Sequence, residues 1–296
     1  MGSTLRQFSD AIVETVNAAA RGVVRVEGRD RLPSSGMVWD DNVIVTSSHG
    51  LERDEVRVGM EGDSVPARLL GRDAGVDVAV LRVTVAGWTP KPLTANGEPQ
   101  VGAIVLAVGR PGPRVLASFG LLSAVDKGWR TPQGGFVDRY LQTDVVMFPG
   151  LSGGPLVDAD GHVVGMATSG LVSGVSVAVP TSTLRATVSA LVTHGRVRRG
   201  FLGVGAQPVE LTSALSERAG QERALLVMSV DPHGPAGRSG LMLGDTLVTL
   251  NGQPVRSLEE LLAALGEDVI GKKVAARVLR GGQLKELTVL VGERET

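Results

Sequence analysis

Cysteine is absent from the 296 residues, which excludes disulfides, thiolate metal sites and cysteine nucleophiles at once. That absence leaves the compartment open, since a cysteine-free chain tolerates either redox state. Aromatic residues are scarce, at 3%, so a core has to be assembled mainly from Val, Leu, Ile and Ala. Net charge is nearly nil: 30 basic residues face 31 acidic ones. This leaves no electrostatic footprint for nucleic acid or an anionic membrane. No run of about twenty apolar residues occurs, so no segment reads as a transmembrane helix. The opening stretch MGSTLRQFSD lacks the basic-then-apolar pattern of an export signal. As written, the chain is expected in the cytoplasm, with the cell envelope or periplasm as the alternative if a leader has been trimmed.

What is present suits a soluble protein of about two domains, with 43% hydrophobic and 21% charged residues. Residues 1–21 read as an amphipathic helix, capped by Ser3 or Thr4, with Leu5, Phe8, Ile12 and Val16 near helical spacing. From Val23 the texture changes to short Val-rich runs broken by Gly, Pro, Asp and Ser, such as NVIVTSS, VAVLRV and HVVGMAT. Many short strands at such spacing indicate a mainly β sandwich or barrel over residues 22–195. Asp160-Gly161 is a hairpin signal. The segment PTSTLRATVSALVTHG reads as a helix with Ser182 as cap and Gly195 as stop. The basic stretch RVRRG looks like a linker, and residues 199–294 read as a small β-rich module with one clear helix, SLEELLAALG.

Chemistry concentrates in three places. Of the four histidines, His162, His194 and His233 sit at a turn, a helix end and a loop, where solvation is the plain reading. His49 instead follows the apolar run NVIVTSS and should emerge at the end of a buried strand, a rigid place for a base. Asp77 immediately precedes the strand VAVLRV. It either caps that strand or accepts an imidazole N–H, fixing the tautomer and stabilising an imidazolium. In MFPGLSGGPLV, Ser152 is boxed in by Gly150, Gly153 and Gly154. These glycines make either a plain tight turn or a turn that aims backbone N–H groups at a developing negative charge. The order His49, Asp77, Ser152 on a β background is that of chymotrypsin-type enzymes rather than of subtilisin or the α/β-hydrolases. In that reading Ser152 is the nucleophile, His49 takes its proton, and the Gly150 and Ser152 N–H groups form the oxyanion hole.

At this point the chain resembles the HtrA (Deg) family of serine proteases, almost from end to end. The motifs are SSGMVW, IVTSSHGL, DVAVLRV, VLAVGRPG, GLLSAV and QTDVVMFPGLSGGPLV, the last being the most specific, with VSVAVP beyond it. The resemblance implies a trypsin-like double β-barrel with the active site between the barrels, and Ser176, Val177 and Ala178 on the strand lining the substrate pocket. It implies a PDZ domain in the tail, carried by RGFLGV and GPAGRSGLMLGDTLVTLNGQPV. There, Phe201, Leu202, Gly203 and Val204 would receive a peptide C-terminus, beside a helix over 258–265. Leu258, Leu261 and Leu262 either line an apolar ligand pocket or pack in the module's own core.

Departures from the family pattern bear on control. Leu151 stands where Asn is usual, and Asn enters the left-handed backbone region more readily than Leu. Lys127 stands where relatives carry a regulatory arginine, and a lysine offers a point charge in place of a planar fork. Thr46-Ser47-Ser48-His49-Gly50 replaces the common Thr-Asn-Ala-His-Val. The expected function is an ATP-independent serine endopeptidase acting on unfolded or misfolded proteins, with no metal or other cofactor. A proteolytically silent chaperone or peptide-binding scaffold is the alternative. Relatives also imply a homotrimer packed through N-terminal apolar side chains, with Leu5, Phe8 and Ile12 either in that role or docked on their own barrel.

Overall fold

The computed structural model describes residues 3–30, 32–85, 91–94 and 99–293; the outer ends of the helix and tail domains expected above, Met1, Gly2 and Arg294, lie outside them. The chain divides into two compact units, Met1–Val197 and Arg198–Thr296.

The first unit opens with helix α1, Thr4–Ala20, whose N-cap Ser3 accepts the Arg6 N–H on its side chain. Then come β1 (Val23–Glu27), β2 (Ser34–Asp40), β3 (Val43–Ser47), β4 (Glu55–Met60), β5 (Asp63–Asp73) and β6 (Val78–Val83). They close into an antiparallel barrel in the order β1-β2-β3-β6-β5-β4. A second barrel, in the order β10-β11-β12-β9-β8-β7, follows from β7 (Ile104–Gly109), β8 (Leu116–Arg130), β9 (Phe136–Thr143), β10 (Pro155–Asp158), β11 (Val163–Thr168) and β12 (Ser176–Pro180). Helix α2, Thr181–His194, completes the unit. The expected double β-barrel is therefore present.

The continuous apolar runs follow from strands buried on both faces. Alternate residues of one strand serve different cores. Val24, Val38, Ile44, Ala79 and Leu81 fill the first barrel, and Val105, Ala107, Leu141 and Leu156 fill the second. Their neighbours Val23, Met37, Val45, Val80, Leu106, Val108 and Val157 share a third cluster with Leu184, Val188 and Leu191 of α2. Ala19, Ile12 and Val16 of α1 join that cluster, whereas Leu5 and Phe8 stay exposed, Phe8 meeting Phe119 edge-on. Ser182 is not a cap: α2 starts one residue earlier, with Pro180 at the N-cap and no side-chain hydrogen bond there. Gly195 does end it, in the left-handed conformation at φ 73°.

The second unit contains β13 (Gly200–Phe201), β14 (Val204–Glu210), α3 (Ser213–Ala219), β15 (Arg223–Val230), α4 (Pro235–Arg238), β16 (Thr246–Leu250), β17 (Gln253–Pro254), α5 (Leu258–Ala263), β18 (Lys273–Arg280), β19 (Gln283–Leu290) and β20 (Gly292–Glu293). The main sheet runs β14-β15-β16-β18-β19, so β14 is an edge strand. Asn251-Gly252 turns β16 into β17, as its sequence signals. Two short helices, α3 and α4, join the single one expected; each is too short to show a clear apolar period. Helix α5 ends at Ala263, two residues earlier than anticipated.

Candidate active site

Strand β3 ends at Ser47, and a single 3-10 turn, Ser48–Gly50, carries His49 out of the first barrel. Asp77 sits immediately before β6, the neighbour of β3 in the barrel, so sheet register brings the two residues together. His49 Nδ1 lies 2.8 Å from Asp77 Oδ2, and the His49 N–H donates to Asp77 Oδ1 at 2.9 Å. With a carboxylate facing Nδ1, the proton belongs on Nδ1 and Nε2 is left to act as a base. The Asp77 side chain is 5% exposed against 34% for His49. Burial of that carboxylate is compensated by donors, because Thr168 Oγ1 also donates to Asp77 Oδ2. Asp77 adopts a left-handed backbone at φ 57°, a conformation open to Asp at modest cost.

Ser152 lies between β9 and β10 and is 5% exposed. The left-handed turns around it fall on Gly150 at φ 84° and Gly153 at φ 89°. Leu151 needs no such conformation; it is fully buried in the second barrel's core, and its N–H donates to the Phe148 carbonyl at 3.0 Å. The loop thus accepts Leu in place of Asn by anchoring it as a core residue. Among the described residues, neither the Gly150 N–H nor the Ser152 N–H donates a hydrogen bond, whereas the N–H groups of Leu151, Gly153 and Gly154 all do.

His49, Gly150 and Ser152 line one cleft of about 710 Å3, together with Ser169 and the apolar Leu32, Met147, Phe148 and Pro149. Arg29, Asp30 and Glu52 form its charged side. Ser176, Val177 and Ala178 are not among its lining residues. Ser176 Oγ donates to the Val145 carbonyl at 3.0 Å, and Val177 and Ala178 are buried in the cores. Period-two alternation could not show that both faces of this strand are covered. Lys127 is exposed on β8, opposite Arg139, and does not line the cleft. His194 and His233 are exposed. His162 keeps 39% of its side chain exposed, its Nδ1 3.7 Å from Asp158 Oδ2.

Sequence reasoning missed four residues at the site. Thr168 holds Asp77, and Ser169 touches Ser152, with Oγ atoms 3.1 Å apart. Gly170 leaves the His–Asp pair room: a Cβ there would come within 2.5 Å of His49 Nδ1 and 2.8 Å of Asp77 Oδ2. Ser35 on β2 reaches across to the Gly150 and Ser152 carbonyls. The clusters TSG and SSG were the available signals.

In the second unit, among the described residues the Leu202 and Gly203 N–H groups donate no hydrogen bond, while both carbonyls are used, by the Ala236 and Asp231 N–H groups. Phe201 pairs with Gly292, and Val204 begins the edge strand β14. Leu258 is exposed and Leu262 half-buried, but Leu261 is a core residue at 5% exposure.

Two six-stranded barrels around a Ser, His and Asp constellation define a trypsin-like peptidase fold, and a small β-rich module follows it in the chain. Comparison with known proteins agrees: residues 34–166 match the trypsin-like peptidase domain and residues 200–291 the PDZ domain. A "probable periplasmic serine endoprotease DegP-like" of Halomonas elongata is 35% identical over 275 residues, covering 90% of this chain and 57% of that protein. Its namesake in Pseudomonas fulva is 34% identical over 297 residues, covering 97% and 61%. The chain thus spans a little over half the length of these relatives. The solved HtrA-type protease AlgW with decapeptide superimposes with a TM-score of 0.78 at 28% identity, covering 96% of this chain and 99% of that one. A serine endoprotease from Yersinia pestis gives the same score at 27% identity, with both chains fully covered. The chain belongs to the HtrA/Deg family, with one PDZ domain.

Proposed function

We propose that this chain is an ATP-independent serine endopeptidase that cleaves unfolded or misfolded proteins through an acyl-enzyme. Ser152 Oγ attacks the scissile carbonyl while His49 Nε2 takes its proton. The Gly150 and Ser152 N–H groups receive the oxyanion, and the imidazolium, held by Asp77, returns the proton to the leaving amine. Water then repeats the sequence to release the acid and restore the Ser152 hydroxyl. The observation that carries this reading is the pairing of His49 with a buried Asp77 on the cleft where Ser152 and two uncommitted N–H groups lie. Each oxyanion donor is worth roughly 3 to 4 kcal/mol in the transition state.

The apolar Leu32, Met147 and Phe148 in the cleft support cleavage after small or medium aliphatic residues. The PDZ domain takes peptide C-termini at Leu202–Val204, the peptide adding as a strand to the free edge of β14. Leu258 and Leu262 are the residues of α5 available to it, because Leu261 is committed to the core. The structure of AlgW with a decapeptide is in keeping with peptide binding. Assembly is a homotrimer through Leu5 and Phe8, both exposed on α1; sedimentation of a monomer alone would rule it out. The relatives' names favour the periplasm over the cytoplasm as the working compartment.

A fluorophosphonate probe tests the chemistry. It should label the parent at Ser152, located by peptide mass, and leave Ser152→Ala unlabelled. Absence of labelling, with candidate C-terminal peptides added, would favour the silent scaffold. That second reading draws on one observation, the contact of Ser152 Oγ with Ser169 in place of His49.

A further inference from the structure

Ser35 belongs to the first barrel, yet its hydroxyl and its N–H are engaged at or beside the nucleophile loop of the second. Its hydroxyl donates to the Gly150 carbonyl at 2.7 Å and accepts the Arg110 N–H at 2.7 Å. Its own N–H donates to the Ser152 carbonyl at 3.1 Å. Its carbonyl accepts the Thr46 hydroxyl at 2.7 Å. A residue with no solvent exposure and full use of its hydrogen-bonding capacity leaves little freedom to the groups it holds.

The two carbonyls held by Ser35 bracket one of the two oxyanion donors, the Ser152 N–H. Fixing the Gly150 carbonyl sets the rotation between Gly150 and Leu151, and fixing the Ser152 carbonyl sets the rotation on the far side of the nucleophile. Between them lies the Leu151–Ser152 peptide, whose N–H is one of the two uncommitted donors; the other, the Gly150 N–H, lies just before the first clamp. The approach is close enough that a Cβ at Gly153 would fall 2.1 Å from the Ser35 carbonyl oxygen. The support continues outward. Arg110, itself 4% exposed, donates from its guanidinium to the Val23 carbonyl at 2.9 Å and the Ala20 carbonyl at 3.0 Å. Burial lowers its pKa from the ordinary arginine value. Ser35 is thereby tied to the end of α1 and the start of β1.

We propose that Ser35 is a positioning residue for the reaction, its hydroxyl and amide locking the Gly150 and Ser152 carbonyls so that the Ser152 N–H between them, and the Gly150 N–H just before them, are preorganised for the oxyanion. This rests on the endopeptidase reading and adds to it a residue outside the triad and outside the loop. Preorganised donors act on the transition state more than on the bound substrate, so the proposal makes a kinetic claim that a purely structural role would not.

The test compares the full-length parent with Ser35→Ala and Ser35→Cys. The cysteine variant fills the space and offers a weak donor, which guards against collapse at a void. Each is assayed on a peptide substrate and titrated with a peptide aldehyde and the matching peptide alcohol. The aldehyde forms a hemiacetal oxyanion with Ser152, and the alcohol cannot. The expected result is a fall in kcat of about tenfold to a hundredfold with KM within about twofold. Aldehyde affinity should fall in step while alcohol affinity holds. An active parent whose variants keep kcat and aldehyde affinity would overturn the role of Ser35 alone. Equal weakening of aldehyde and alcohol would do the same, by showing a general loss of the cleft. A parent that neither cleaves nor binds the aldehyde would overturn the endopeptidase reading, and the role of Ser35 with it.

Discussion

Ser152 Oγ lies 3.1 Å from Ser169 Oγ and accepts the Ser169 N–H at 3.3 Å, and among the described residues no hydrogen bond joins it to His49. The His49–Asp77 pair is made, while Ser152, the proposed nucleophile, lies against the residue that follows Thr168. The proposed attack requires Ser152 Oγ to leave Ser169 for His49 Nε2.

Removing the competing hydroxyl should therefore raise activity. One neutral hydrogen bond is worth about 1 kcal/mol net, or roughly fivefold in an equilibrium. Ser169→Ala is expected to increase the fluorophosphonate labelling rate by about twofold to fivefold. A rate equal to or below the parent's would show that Ser169 does not hold the nucleophile back.

Asp77 fixes the imidazole. Asp77→Asn keeps a side chain that tolerates the left-handed backbone, but its amide can present N–H to Nδ1 and stabilise the wrong tautomer. Turnover should drop by about 10⁴-fold with the thermal midpoint changed by a few degrees at most. A loss under tenfold would contradict the role assigned to Asp77.

Gly170 leaves space that the pair occupies. Because a Cβ would press on both His49 Nδ1 and Asp77 Oδ2, Gly170→Ala should displace the imidazole and cut kcat by about a hundredfold. Wild-type kcat in a folded Gly170→Ala protein would refute the close fit.

In the second unit, Asp245 is 1% exposed and receives Arg280 through two hydrogen bonds of 2.7 Å and the Met242 N–H at 2.8 Å. Burial pushes its pKa up, but the Arg280 and Met242 hydrogen bonds, with the Arg280 and Lys285 charges, outweigh it and hold the carboxyl below the usual carboxylate range. A depressed folded pKa gives stability that is full above the unfolded value of about 3.9 and fades as pH falls through the folded one. Asp245→Asn should therefore destabilise this unit by about 2 kcal/mol at pH 7. The gap to the parent should narrow below about pH 4. Urea unfolding of both proteins at several pH values checks the sign; a gap that widens in acid would contradict it.

Much of the candidate site was legible because each proposed triad member sits at a point where local texture changes. His49 ends a valine run, Asp77 begins another, and Ser152 sits in a glycine cluster of its own. Short Val-rich runs pointed to a β barrel or sandwich; that the strands are covered on both sides, by the core the two barrels share, shows only in the fold. What escaped depends on register between distant strands. Ser35 and Ser152 are far apart in sequence, and nothing near SSG announces a carbonyl across the barrel interface. Ser176–Ala178 carried the opposite lesson, since Val177 and Ala178 are spent on the cores and the Ser176 hydroxyl on the Val145 carbonyl. Leu151 was read for its backbone, whereas burial of its side chain decides its place.

Whether Ser152 cuts protein chains is decided by digestion of an unfolded casein with the purified full-length chain and with Ser152→Ala, each without nucleotide. The expected result is progressive cleavage by the parent at aliphatic positions and none by the variant. Intact casein in both reactions, with C-terminal peptides present, would contradict the endopeptidase reading, as would equal cleavage by the two proteins.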